Sequence, residues 1–178
     1  KIIVPVGLKD YVATLHDGEI VELDWWESVE AGPAQVTGLP AQHWSRRIGQ
    51  GRNETLWASY MIDTPAVTIY YGADSGYFVG YREFGKMFEP IDYALLPISA
   101  YQPRWFMHYA HINVDEALLA FEQLGAHWFV PTQWGTFRLG DNPPGYPILD
   151  LKRQLADREL DPAPYLMPDL GEIVVIGK

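Results

Sequence analysis

The sequence predicts an α/β fold in which helices cover the faces of a β-sheet. Short β-branched segments typical of strands alternate along the chain with segments whose apolar residues recur at helical spacing. Antiparallel strand pairs are mixed into this alternation, so the predicted sheet contains both strand directions. The chain has 178 residues, of which 48% are hydrophobic. This is enough for one domain, residues 1–178, with a substantial core.

The chain opens with a predicted β-α-β unit, whose two strands are expected to run parallel. The strands cover residues 2–6 and 20–23, and apolar residues at helical spacing lie between them. Two further strands are predicted over residues 34–42 and 55–62, on either side of a polar loop. Residues 67–71 follow closely enough to complete a hairpin with the preceding strand.

Helices and strands alternate through the second half of the chain. The clearest start signal is Asn113, a favoured N-cap residue, with Glu116 three residues later and apolar residues beyond. Gly125 supplies the stop. The other predicted elements are a helix over residues 77–88, a strand over 92–98, a strand over 128–131, a helix over 149–160 and a strand over 172–176.

Composition excludes several classes of function. Thirteen basic and 23 acidic residues give a net charge of −10, which opposes contact with the phosphate backbone of a nucleic acid. The absence of cysteine excludes disulfides, cysteine-ligated zinc and a thiol nucleophile. The apolar runs are far shorter than the ~20 residues that cross a bilayer, so no transmembrane segment is predicted.

Three polar segments follow apolar strands, where functional loops gather in layered α/β folds. The first contains His43, which is either a metal ligand or a histidine hydrogen-bonded beside Trp44. The second contains Asp74, whose carboxylate either bridges cations or caps the following helix. The third contains Gln133, a weak neutral oxygen ligand or part of an ordinary turn.

A loop dense in aromatic residues lies between the second and third of these segments. It contains Tyr101, Arg104 and Trp105, with His108 and His111 just beyond. Loops of this kind usually line or cover a pocket. The planar guanidinium of Arg104 suits bidentate contact with an anion such as phosphate, and stacking on Trp105 or pairing with an acid are equally good interpretations.

In their order along the chain, five segments resemble successive blocks of one family. This family is the N-acylphosphatidylethanolamine-hydrolysing, phospholipase D-like branch of the metallo-β-lactamase superfamily. The similarity extends over nearly all of residues 1–140 and corresponds to the C-terminal two thirds of the family fold. The segments are ELDWWE at 22–27, PAQHWSRR at 40–47, GADSGY at 72–77, LPISAY at 96–101 with PRWFM at 103–107, and WGTF at 134–137.

The resemblance implies a metallo-β-lactamase-type αββα sandwich with a two-metal site, usually zinc, at one edge of its sheets. His43 corresponds to a histidine of the first metal site and Asp74 to the aspartate that bridges both metals. Gln133 stands where the family normally has its last histidine, and His111 matches a histidine beside the metals. Asp74 and His111 are therefore the expected catalytic residues. The expected substrate-binding residues are Tyr101, Arg104 and Trp105.

Two departures from the family limit this expectation. The His-x-His-x-Asp-His motif, which supplies most of the family's ligands, occurs nowhere in this chain, and a glutamine replaces the last histidine. Because the motif belongs before the first strand found here, the chain is expected to lack the N-terminal strands of the sandwich. Catalytic zinc needs about three protein ligands and an open position, which His43 and Asp74 do not provide alone.

Two functions follow as alternatives. The first is a metal-dependent hydrolase of a phosphodiester or other ester, with a small-molecule or lipid-like substrate and the remaining ligands on a segment outside this chain. The second is a non-catalytic binding or scaffold protein with a degenerate metal site. An incomplete sandwich exposes a sheet edge and an apolar face, so association with the missing N-terminal segment or with another chain is also expected.

Overall fold

A β-α-β unit opens the domain in the computed structural model, which describes residues 1–47 and 49–175. The strands β1 (Ile2–Pro5) and β2 (Ile20–Leu23) form a two-stranded parallel sheet, and the helix α1 (Lys9–Ala13) lies between them in sequence. The predicted parallel unit is confirmed. The connecting helix has five residues and buries none of them.

The remaining strands form one mixed sheet of six strands. Neighbouring strands in this sheet are also neighbours in sequence. The first four of them pair antiparallel, and the last three pair parallel. The strands are β3 (Ser28–Ala31), β4 (Ala34–Leu39), β5 (Ser59–Asp63), β6 (Thr68–Tyr71), β7 (Tyr93–Pro97) and β8 (Trp128–Thr132).

Four further helices follow β6: α2 (Gly80–Met87), α3 (Arg104–Met107), α4 (Val114–Leu124) and α5 (Tyr146–Asp157). α4 packs against α2, α5 and β7. It begins at Asn113 with both hydrogen bonds of a capping box and ends at Gly125, which has a φ of 64°. The predicted start and stop are therefore confirmed. Among the described residues no helix is long and apolar enough to cross a membrane.

The core lies where α2 and α4 pack against the parallel half of the six-stranded sheet. Tyr70, Phe84, Leu96 and Phe129 come from both layers and are almost wholly buried. Gly85 allows the two helices to approach closely, because a Cβ at this position would lie 2.3 Å from a carbonyl oxygen of α4. The layered α/β architecture follows from this burial.

The structure shifts several boundaries of the predicted elements. The strand expected over residues 55–62 begins at Ser59, and α5 begins three residues earlier than the predicted residue 149. The edge strand β3 was not predicted. It has four residues that alternate between exposed and half-buried, so it lacks the apolar run that marks the other strands.

The strand predicted over residues 172–176 is wrong for the part that the structure describes. Residues 172–175 belong to no strand, and Ile173 and Val175 are 88% and 89% exposed. A β-branched run forms a strand when it can pack against a sheet, and this segment covers none. Ile176 lies outside the described residues.

Two buried tyrosines lead us to expect that the fold loses stability in alkaline solution. Tyr70 and Tyr81 are fully buried, and neither hydroxyl has a hydrogen-bond partner among the described residues. Burial is the main cause that raises the pKa of both phenols above the ordinary value of 10.0. The unfolded chain ionises at about pH 10, so stability is complete below that pH. Above it, stability falls by about 1.4 kcal/mol per tyrosine for each pH unit.

Urea unfolding between about pH 8 and about pH 11 tests this expectation. Tyr81→Phe should remove the part of the alkaline loss that this tyrosine contributes, about 1.4 kcal/mol for each pH unit. At neutral pH it should leave the free energy of unfolding unchanged or raised, because it deletes a buried hydroxyl without a partner. Tyr11→Phe is the control, since this side chain is 51% exposed. An alkaline slope in Tyr81→Phe equal to that of the unchanged protein contradicts the expectation.

Candidate metal centre

The candidate residues lie at one edge of the six-stranded sheet. His43 follows β4, Asp74 follows β6 and Gln133 follows β8. β4 and β6 are each antiparallel to β5 and therefore share one direction, while β6, β7 and β8 pair parallel. The carboxyl ends of these four strands therefore meet at the same edge, which is where functional loops gather in open α/β sheets.

Asp74 lies between the other candidates. It lines one cavity of about 400 Å³ together with His111 and Gln133, and a neighbouring cavity of about 420 Å³ together with His43. The rings of His43 and His111 contact edge to face, with centroids 5.4 Å apart. The four side chains thus surround a single region, although two of them are separated by about 90 residues in sequence.

Gln42 connects the loops that carry these side chains. Its backbone N–H donates to Ser75 Oγ at 3.0 Å, and its carbonyl accepts from the Gly76 N–H at 2.8 Å. Its side-chain amide donates to the Tyr109 carbonyl at 2.9 Å. Each partner lies within two residues of another candidate side chain, and Gln42 itself precedes His43. The network therefore sets the positions of three loops relative to one another.

Two residues other than glycine adopt left-handed backbone conformations where the chain leaves β6 and β8. Ala73 has a φ of 47° and precedes Asp74, while Gln133 has a φ of 61°. Such conformations cost on the order of 1 kcal/mol and persist where surrounding contacts demand them, often at functional sites. They turn the chain sharply as it leaves β6 and β8.

The hydrogen bond of His43 determines which of its ring nitrogens can bind a metal ion. Nδ1 lies 2.6 Å from the carbonyl oxygen of Trp44. Because a carbonyl oxygen only accepts hydrogen bonds, the proton of the neutral ring is on Nδ1. Nε2 then carries the free lone pair. A backbone carbonyl is a common partner for the distal nitrogen of a metal-bound histidine.

His111 is a largely buried histidine beside Asp74. Burial lowers the pKa of its imidazole below the ordinary 6.5, the carboxylate of Asp74 raises it, and His43 and Arg104 lower it further. Its Nδ1 is buried and has no hydrogen-bond partner in the described chain. A bound water or ligand usually satisfies a nitrogen of this kind.

Arg104 is engaged by protein groups. One terminal nitrogen donates to both carboxylate oxygens of Glu116, at 2.7 and 2.8 Å, and the other donates to the carbonyl of His111 at 2.8 Å. Of the interpretations that the sequence allows, pairing with an acid describes these contacts. Glu116 also completes the capping box of α4, so the pair anchors the segment of His111 to that helix.

The other two expected substrate-binding residues differ in exposure. Tyr101 is 3% exposed and its hydroxyl donates to Asp150 Oδ2 at 2.8 Å, so the side chain packs inside the domain. Trp105 is 79% exposed and contacts Phe106 edge to face. In this arrangement Trp105 presents its side chain to solvent. The sequence pattern did not reveal the positioning role of Gln42, because its contacts are not local.

The donors at this edge suit one side of a metal centre. Imidazole and carboxylate are good ligands for zinc, iron or manganese, and a neutral amide oxygen is a weaker one. Within residues 1–47 and 49–175, no three His, Cys, Asp or Glu side chains gather closely enough to hold a metal ion. Since a catalytic zinc takes about three protein ligands, these residues do not complete such a centre by themselves.

The fold and this edge define a class, the layered α/β proteins with candidate metal ligands at the carboxyl edge of a mixed sheet. Residues 3–134 match the family model described as the beta-lactamase superfamily domain. The chain belongs to the metallo-β-lactamase superfamily, in its N-acylphosphatidylethanolamine-hydrolysing phospholipase D-like branch. The family predicted from the five sequence segments is confirmed.

Two relatives show how much of a longer protein the chain matches. It is 36% identical over 177 residues to an uncharacterized protein of Mycobacterium tuberculosis, which corresponds to 97% of this chain and 46% of that protein. It is 31% identical over 185 aligned residues to the N-acyl-phosphatidylethanolamine-hydrolyzing phospholipase D 1 of Caenorhabditis elegans, covering 97% and 52% respectively. The chain thus spans about half the length of the curated relatives it matches.

A solved structure supports the fold. The metallo hydrolase Igni18 of Ignicoccus hospitalis superposes with a TM-score of 0.69 at 21% identity, over 98% of this chain and 67% of that one. At this identity the likeness concerns the fold alone. It confirms the predicted α/β architecture of the metallo-β-lactamase type.

Proposed function

We propose that this protein is a metal-dependent hydrolase that cleaves a phosphodiester or a related ester. The observation that carries the proposal is the position of Asp74, which lines both the cavity of His43 and the cavity of Gln133. These three residues would be the ligands that this chain contributes to the metal centre. The name of the C. elegans relative describes hydrolysis of a phospholipid, which supports a phosphodiester as the substrate class.

The bound metal would supply an activated water and stabilise negative charge on the reacting ester. This chain's own residues would hold that centre through Nε2 of His43, the carboxylate of Asp74 and the amide oxygen of Gln133. The imidazole of His111, whose pKa burial lowers, would accept a proton at Nδ1, the nitrogen without a hydrogen-bond partner among the described residues. Its position is maintained by the hydrogen bond that Arg104 donates to its carbonyl.

Exposed apolar side chains near this edge support a substrate with an apolar portion. Phe137 and Leu139 line the cavity of Asp74 and are 73% and 72% exposed. Trp105 and Phe106 extend into solvent from α3. A lipid-like chain would cover these surfaces and remove apolar area from water.

One observation favours the second candidate function, a non-catalytic binding or scaffold protein. The described residues lack three strong donors at one place, and Gln133 stands where the family normally has a histidine. A protein of this fold that has lost its metal ligands would keep its cavities. It could then bind a ligand without catalysing a reaction.

Metal retention and hydrolysis separate the two candidates. The full-length protein is loaded with Zn²⁺, Mn²⁺ or Fe²⁺ without oxygen and dialysed, and bound metal is measured by mass spectrometry. Hydrolysis is then followed with bis(4-nitrophenyl) phosphate and with 4-nitrophenyl butyrate. We expect about one metal ion or more per chain. Hydrolysis of the diester should depend on that metal.

His43→Ala should lose both the metal and the hydrolysis. His127→Ala is the matched control, because this exposed histidine precedes β8 and therefore lies at the opposite edge of the sheet. A well-folded protein that retains no metal and cleaves neither ester supports the scaffold. Equal losses in the two variants contradict the assignment of His43.

A further inference from the structure

A third cavity adjoins the candidate metal centre and has a different chemical character. Its volume is about 400 Å³ and it shares His111 with the cavity of Asp74. We propose that this cavity binds a second, negatively charged group of the substrate, one carried on an apolar or aromatic body, and so selects which esters are accepted. The inference rests on the proposed function. The side chains that support it are Trp44, Arg46, Arg52, Phe106, Tyr109 and His111.

The two arginines of this cavity are free to bind an anion. The chain carries a net charge of −10, with 23 acidic and 13 basic residues. Within the described residues, however, neither Arg46 nor Arg52 makes an ion pair or a side-chain hydrogen bond. A guanidinium has five N–H donors in a planar fork that fits a carboxylate, sulfonate or phosphate. Two such forks in one cavity wall provide positive charge in an otherwise acidic protein.

Trp44 orients this charge and links it to the metal centre. The guanidinium of Arg52 lies 5.4 Å from the Trp44 ring centroid, a cation–π contact. The Trp44 ring is in turn stacked with His43 at 5.7 Å, with an angle of 16° between the planes. An anion bound by Arg52 would therefore be separated from His43, a proposed metal ligand, by the indole ring of Trp44.

The other walls are apolar. Phe106 is 64% exposed and Tyr109 is 51% exposed, although both are large aromatic residues. A clustered exposed aromatic surface beside a cavity is typical of a binding site. Two arginines beside exposed aromatic rings favour an amphiphilic anion, because a purely polar anion would leave the aromatic faces in water.

This arrangement predicts the shape of the substrate. The ester to be cleaved would lie in the cavity of Asp74. The anionic group would lie in the neighbouring cavity of Arg46 and Arg52, which His111 also lines. A neutral ester would leave both guanidinium groups without a partner. The enzyme should therefore prefer esters that carry an additional anion at a short distance from the bond that is cleaved.

The binding test uses two probes that have nearly the same shape but differ in charge, naphthalene-1-sulfonate and naphthalene-1-sulfonamide. Neither is an ester, so binding is measured by titration calorimetry without turnover. The unchanged protein should bind the sulfonate at least about tenfold more tightly than the sulfonamide. The variant with both Arg46→Gln and Arg52→Gln should bind the two probes equally.

Two control variants locate the effect. Arg82→Gln removes one positive charge from an exposed position on α2 and should keep the preference for the sulfonate. Phe106→Ala should lower the affinity for both probes by the same factor, because it removes an apolar contact and leaves the charge unchanged. Thermal unfolding verifies that each variant is folded.

A tenfold preference that disappears in Arg82→Gln as well, or that is absent from the unchanged protein, overturns the inference. The result is separable from the proposed function. Selective sulfonate binding without metal-dependent hydrolysis contradicts the hydrolase alone, and hydrolysis without selective binding contradicts this anion site alone.

Discussion

Replacing Asp74 by asparagine is expected to lower metal affinity and metal-dependent hydrolysis by at least about 100-fold while leaving the fold intact. The carboxylate contributes a negative charge as well as an oxygen ligand, and the amide of asparagine has the same shape without the charge. A metal ion stabilises the charge of the transition state by several kcal/mol. A loss of about 3 kcal/mol lowers an affinity or a rate by about 100-fold. Asp74 is the carboxylate shared by the two cavities of the site.

The fold should tolerate this change. Asp74 is exposed and makes no side-chain hydrogen bond or ion pair within the described residues. Surface substitutions of this kind usually change stability by less than about 0.5 kcal/mol. Asp157→Asn, at an exposed position of α5, removes the same charge and should leave metal binding unchanged.

A second measurement does not depend on turnover. In metal-free protein the pKa of His111, followed by NMR, should lie lower in Asp74→Asn than in the unchanged protein. Burial already lowers this pKa, and the charge of Asp74 is the influence that opposes burial. Full metal retention and hydrolysis in Asp74→Asn would show that the proposed site is misplaced.

Gly76→Ala should have the largest effect on the structure of the site. A Cβ at this position would lie 1.9 Å from the carbonyl oxygen of Tyr109 and 2.7 Å from Nε2 of Gln42. That oxygen accepts the side-chain hydrogen bond of Gln42, so it cannot move away without breaking the contact. Overpacking a core costs roughly 1–3 kcal/mol, and two lost hydrogen bonds add about 1 kcal/mol each. We therefore expect a loss of about 3–5 kcal/mol.

The site should be lost together with this stability. Gly76 lies where the loops of Asp74 and His111 meet, so relief of the clash would separate them. Metal retention is then expected to fall even at temperatures where the variant is folded. Urea unfolding and metal analysis measure the two effects.

Gly145→Ala is the matched control, because no atom of the described residues lies within 4 Å of a Cβ built there and the backbone φ is −82°. It should change stability by no more than about 1 kcal/mol. Equal stabilities of the two alanine variants would contradict the close packing of these loops.

Sequence patterns were most reliable where the signal is local. The capping box at Asn113, the stop at Gly125 and the parallel pairing of β1 with β2 were all expected and are all present. The two helix ends depend on residues a few positions apart, and the parallel pair lies within one short β-α-β unit that the chain's own periodicity marks. The C-terminal run of residues 172–175 shows the limit, since its strand pattern has no neighbouring strand with which to pair.

The candidate site was predicted partly from the positions of residues along the chain and partly from the family resemblance. The positions of His43, Asp74 and Gln133 at strand ends could be inferred from the chain, and the family resemblance assigned roles to them. The sequence could not show that Arg104 pairs with Glu116 and does not contact a substrate. A guanidinium group is equally suited to a protein carboxylate and to a substrate anion. Nor did the sequence indicate that the two arginines beside Trp44 have no ion-pair partner among the described residues.

The amino-acid sequence by itself determined the order of strands and helices, the apolar residues available for a core and the residue types that can bind a metal. Tertiary structure alone decided that four strands share a direction and end at one edge, and that Gln42 joins Tyr109 across 67 positions. The physical reason is that local periodicity sets backbone conformation and burial. Convergence of distant side chains depends instead on strand pairing and loop packing, for which the chain carries no short-range signal.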